Sequence, residues 1–265
     1  MTTTLDKQLL LLFKAHVMSE QIAAIKDMPA WERKLESQLS RQLGTVFNQV
    51  TKGIVDEMVK NGIIPGDELS RVRMTEAMLA LEDPFTQRIT PAAITAAEAG
   101  RKVIFDFMTS VGYDVSLTQF SEHVRTQIAE TTFVASQQTI ARMRGDVMAN
   151  LARSYADGLG IKEAAKNLRT EFKSMKNYEL RRVARTEINA HQNKGAHDTI
   201  IELGITQEKW VSARDARTRK THVALNGEIR DTGERFSNGL LYPGDRSGPI
   251  SEWIMCRCRI VPHLG

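Results

Sequence analysis

NYELRRVARTEINAHQNKGAHDTIIELGITQEKWVSA, residues 177–213, is where the chain changes character. Up to Leu203 the stretch holds no proline and ends at Gly204, as a long helix does, and alanine, glutamine, lysine and glutamate support helix throughout the first two hundred residues. After Gly204 the texture is different. Glu208–Ala213 alternates in polarity as a strand does. The boundary predicts a mainly α protein, an elongated helical bundle followed by a small α+β C-terminal domain.

Upstream of that boundary the pattern is helical throughout. Leu9, Leu12, Phe13, Val17 and Ile22 give one stripe within Leu5–Asp27, which Pro29 ends. Ala30–Asn61 continues with Leu35, Leu39, Leu43, Val46, Phe47 and Val50, closing at Gly62. Pro65-Gly66-Asp67 reads as a turn, with Asp67 as N-cap of a short helix to Glu82. Thr90-Pro91 reads as an N-cap followed by proline at the first helical position, opening a helix to about Ser110. Ser121–Tyr155 is another helical segment, closed by Gly158 and Gly160. Ile161–Phe172 reads as a compact amphipathic helix separate from Asn177–Leu203. The division that follows is a helical region, 1–176, for assembly and partner binding, and a domain over 177–265.

Downstream, Thr218–Leu225 reads as a short helix. Asn226-Gly227 is a turn dipeptide before Glu228-Ile229-Arg230, residues 231–248 a long loop, and Arg257–Val261 a closing strand. A unit of about 60 residues is marginal by itself, so it needs support from the preceding helix, a metal or a partner subunit.

Composition narrows the class. The chain has 265 residues, 42% hydrophobic, with 36 Lys and Arg against 32 Asp and Glu. That is enough apolar material for a packed core. No run approaches a membrane span, and the N-terminus lacks a basic region before its apolar run, so neither a signal peptide nor a membrane is expected. Residues 181–265 hold 14 Lys and Arg against 10 Asp and Glu, while the first 180 residues balance. A basic tail permits nonspecific phosphate contacts with DNA, although aromatic stacking residues are sparse. The two cysteines, Cys256 and Cys258, are too close together to staple a loop, which suits a reducing compartment.

The chemistry-bearing residues all follow position 180. Cys256 and Cys258 in an extended strand project to one face and can chelate a soft ion, with His222 and His263 completing a Cys2His2 set for zinc. The spacing is tighter than the usual C-x2–4-C, and the pair better suits two small buried side chains, because free cysteine is commonly buried. Asp215, Arg217, Arg219 and His222 can be drawn as a phosphodiester-cleaving site with arginines on phosphate and histidine as base. The same residues suit a polar network in which Asp215 caps the following helix and arginines tie the tail to Glu187. Glu187 and His191 are neighbours on one helical face; such a pair can bind metal but better suits an exposed ion pair or a tail-packing contact, and His197 falls on the other side, so no H-x3-H chelate exists. No complete nucleophile or metal-carboxylate set accompanies them. The reading is therefore a non-enzyme without a committed cofactor, zinc remaining open.

The order of these residues resembles the Mu F-like family of phage minor head proteins. The resemblance rests on Ala184-Arg185-Thr186-Glu187, Trp210, Asp215-x-Arg217-Thr218-Arg219-x-x-His222, Phe236 with Pro243, and Cys256-Arg257-Cys258. Met255 stands where the family commonly has asparagine. The resemblance implies that Arg185, Thr186, Glu187, Trp210, Asp215, Arg217, Arg219, His222 and Pro243 form a structural network. It also implies a place in the virion head, reached from the host cytoplasm during assembly. Portal and major capsid proteins would be the partners, with a role in capsid assembly, DNA packaging or DNA ejection. A homo-oligomer is compatible with it, and no toxin or nuclease extension is expected after Gly265. The alternative is a metal- or histidine-dependent nuclease using Asp215, His222, Cys256 and Cys258.

Overall fold

A computed structural model describes residues 30–64, 66–116 and 118–264; the helix expected at Leu5–Asp27 lies outside them. Among the described residues, seven helices and three strands follow one another: α1 Ala30–Asn61, α2 Glu68–Leu79, α3 Glu82–Ser110, α4 Glu122–Ala156, α5 Ile161–Glu202, β1 Gln207–Val211, α6 Lys220–Ala224, β2 Ile229–Asp231, α7 Ile250–Trp253 and β3 Arg259–His263. The protein is mainly α with a small α+β end. The strands form one antiparallel sheet in the order β2-β1-β3, with Lys209 opposite Ile229 and Trp210 opposite Ile260.

Two helical boundaries differ from the sequence reading. Thr90-Pro91 opens nothing: α3 begins at Glu82 and runs through Pro91. Thr90 instead bonds Thr132 of α4 through their hydroxyls at 2.6 Å. An internal proline costs about 3 kcal/mol, but Phe85, Ile89, Ala92 and Ala96 are buried on both sides of it, and their packing holds the helix. The segments Ile161–Phe172 and Asn177–Leu203 are a single helix, α5. Nothing between them breaks a helix, and Met175 in the joining turn is buried. Asp67 caps α2 as expected, its carboxylate accepting the Ser70 N–H at 2.7 Å.

The chain divides into two compact units that interleave in sequence. One comprises Leu35–Ala92 and Glu122–Glu187. Its core includes Phe47 edge-on to Phe172 at 5.6 Å, with Met74, Met78 and Leu151 buried. Arg185 forks onto Glu36 (Nη2–Oε2 3.0 Å) in a buried pair. The other comprises the described residues up to Lys34, Ala93–Ser121 and Ile188–Gly265. Its core joins Ile104 and Met108 of α3, Ile200 of α5, and Trp210, Phe236 and Ile260 of the tail.

Within this second unit α3 and α5 cross at near contact. A Cβ on Gly100 would stand 1.9 Å from the Gln192 carbonyl oxygen, and one on Gly195 would stand 2.2 Å from that of Ala97. The α5 residues 188–200 are buried apart from Lys194 and Asp198, although many are polar. Tertiary partners satisfy several of them. Asn193 donates to the Cys258 carbonyl at 3.1 Å and accepts the Ile260 N–H at 3.0 Å, fixing β3 to the helix.

Candidate functional site

The candidate site is built on the tail. Ser212, just after β1, hydrogen-bonds the His222 carbonyl and fixes the last turn of α6 beside the sheet. His222 is 1% exposed and meets Trp210 edge to face at 5.2 Å. After α7 the backbone turns at Met255, which has φ 56°. That turn sends Cys256 and Cys258 to one side while Arg257, between them, reaches Asp215. The segment is extended, but β3 starts only at Arg259.

Both thiols therefore face one imidazole nitrogen. His222 Nδ1 lies 3.5 Å from the Cys256 sulfur and 3.4 Å from the Cys258 sulfur. The three donor atoms lie within 4.8 Å of one another, and all three residues are buried. The other ring nitrogen, Nε2, is 3.1 Å from Glu252 Oε2. Thr221 Oγ1 donates to the same oxygen at 3.1 Å.

The two thiols are electrostatically unequal. The Cys258 thiol is pulled down to about 4, first by the hydrogen bond from Cys256 and then by its hydrogen bond and charge interaction with His222; burial opposes the shift. The Cys256 thiol is pushed up by burial and by its neighbour Cys258.

The remaining expected residues are placed around this centre. Asp215 accepts both arms of the Arg257 fork, the Arg217 N–H at 3.0 Å and the Thr218 hydroxyl at 3.1 Å. It closes its own turn and does not cap α6, whose N-cap residue is Arg219. The hydrogen bond from Arg257 is the largest cause holding the Asp215 carboxyl at about 2. Arg217 is exposed beside Asp215, and Arg219 donates to the Ile254 carbonyl. Arg185 pairs with Glu36, and Thr186, Glu187 and His191 are buried, so an exposed Glu187–His191 pair is excluded. Pro243 is buried, and the next residue, Gly244 (φ 96°), packs so closely on α5 that a Cβ would meet Ala190 Cα at 2.6 Å.

His263 stands apart from the thiols, at the end of β3 opposite Gln207, so the expected Cys2His2 set is not assembled. Glu252 takes a place at the centre that spacing did not reveal. It lies 30 residues from His222 in a loop-rich stretch with no periodicity. His197 with Glu208, 2.9 Å apart and buried, is a second such pair. Chemically, a soft three-donor group sits in an apolar core. The Asp215 carboxylate pairs with Arg257 and is not among the three grouped donors.

Residues 145–261 match the family described as Phage Mu protein F like protein, the family that the motif order resembles. Among curated proteins the chain is similar to "NAD(+)--arginine ADP-ribosyltransferase EFV" of Enterococcus faecalis (strain ATCC 700802 / V583). The two are 31% identical over 122 residues, which is 44% of this chain and 25% of that protein. The chain therefore spans about a quarter of that relative's length. No solved structure matches.

Proposed function

We propose, with the match of residues 145–261 to the Phage Mu protein F like family as the premise, that this chain is a minor structural protein of a tailed-phage head. The observation that carries the reading is the coincidence of that match with the ordered set from Arg185 to Cys258. Most of those residues are engaged in holding the tail together: Trp210, His222, Pro243, Cys256 and Cys258 are buried, and Asp215 and Arg219 are tied to neighbouring chain. Such a network is the make-up of an assembly module rather than of an open catalytic cleft.

In this reading the protein acts at or near the portal, with the portal and major capsid proteins as partners. Its helices offer apolar faces to neighbouring subunits, which suits a role in capsid assembly, DNA packaging or DNA ejection. The basic last third can lie against packaged DNA through nonspecific phosphate contacts. The transferase activity in the relative's name is not carried over. The similarity covers only a quarter of that protein. No helix among the described residues is long and apolar enough to cross a membrane.

Mass spectrometry of purified heads and procapsids tests the reading. Peptides of this chain should be present at low copy relative to the major capsid protein. Their absence from both particles would refute it.

A further inference from the structure

The grouping of two thiols and a carboxylate-held imidazole is not demanded by an assembly role, and it has the donors of a metal centre. We propose that His222 Nδ1, Cys256 Sγ and Cys258 Sγ are three ligands of one thiophilic divalent cation, zinc by chemistry, which clamps α6 to the segment entering β3. The inference goes beyond the head-protein reading and does not depend on it.

Four observations converge. The first is spacing. A tetrahedral ion with metal–sulfur bonds of about 2.3 Å and a metal–nitrogen bond of about 2.0 Å sets sulfur–nitrogen edges of about 3.5 Å. The two observed separations are 3.5 and 3.4 Å. The second is orientation. Glu252 lies 3.1 Å from Nε2 and both sulfurs lie beside Nδ1, so a neutral imidazole protonated at Nε2 turns its Nδ1 lone pair to the sulfurs, and a carboxylate behind a histidine is the usual outer partner of a metal-bound imidazole. The third is support for sulfur charge. The Cys258 N–H donates to the Cys256 sulfur at 3.4 Å. The fourth is charge balance. Two thiolates neutralise a dication, so the ion can sit beside Trp210 in an apolar core without a net buried charge.

Two thiolates with one imidazole favour zinc over magnesium or calcium. His263 has no part in the site. The fourth position falls to water or to a group from a partner. The clamp joins positions 34 residues apart in the chain.

The test uses the purified full chain. Metal analysis should find about one zinc per chain. Cobalt exchange should give a thiolate-to-cobalt charge-transfer band with tetrahedral d–d absorption. Cys256→Ser and Cys258→Ser should each lose the bound metal. Glu252→Gln should keep the cobalt spectrum but bind zinc about 10–100-fold more weakly. Should the cysteine variants fail to fold, X-ray absorption of the wild-type zinc form decides. Two sulfurs and one imidazole are expected, and a shell of nitrogen and oxygen alone would overturn the proposal. So would a folded chain that takes up neither zinc nor cobalt, or zinc retained by both cysteine variants.

Discussion

Asp215 and Arg257 show how single residues hold the tail. The bidentate fork keeps the Asp215 carboxyl at about 2, below its ordinary 3.8. A lowered carboxyl contributes stability that is in full force above pH 3.8 and is lost as pH falls through about 2. The group is partly exposed, so solvent screens the contribution. A carbon-detected NMR titration should place the Asp215 midpoint near 2, and Arg257→Gln should return it toward 3.8; an ordinary midpoint in the wild type would refute the fork. The Arg185–Glu36 pair is of the opposite kind, buried on both sides. Glu36→Ala strands a buried guanidinium and should cost about 3–5 kcal/mol in chemical denaturation. The double replacement Arg185→Met with Glu36→Leu should recover most of that, and a single variant costing under about 1 kcal/mol would contradict the burial. The sequence marked Arg185 through the family motif, but Glu36, 149 positions away, carried no mark at all.

At the scale of elements, periodicity and capping were legible. Ala30–Asn61, the Asp67 cap and the strand after Gly204 stand where the residues predict them. What failed was local punctuation. Pro91 reads as a start signal because proline suits a first turn, yet packing on both sides carries α3 through it. Helix α5 was equally hard to read, because Asn189, His191, Asn193 and His197 are polar side chains that carry no apolar stripe. All are buried, and Asn193 and His197 take their polar partners from the sheet and the residues around it. The glycines are the better guide to this helix. Neither Gly100 nor Gly195 needs a positive φ; both are required because backbones meet there. Gly195→Ala should push α3 from α5 and destabilise by about 1–3 kcal/mol or more, measured as a shift of the denaturant midpoint. A neutral substitution would mean that the crossing is looser than described.

For the whole molecule, the candidate site was half legible. The Cys-x-Cys spacing and the Asp-x-Arg-Thr-Arg-x-x-His run pointed to His222, Cys256 and Cys258 as a group, and the chain brings them together. Spacing could not choose between His263 and Glu252, because the Met255 turn and the loop before α7 decide which side chain reaches the centre. The basic excess of the last third resolves into specific ties, among them Arg219 to the Ile254 carbonyl, Arg257 to Asp215 and Arg259 to Glu32. Much of the charge that suggested an anionic partner is therefore spent within the fold. The reading of the molecule as a head component is tested most directly by cryo-electron microscopy of the intact particle, with localised reconstruction around the portal vertex. The account predicts ordered density beside the portal that fits α5 with the three-stranded sheet, and particles without such density and without the chain would contradict it.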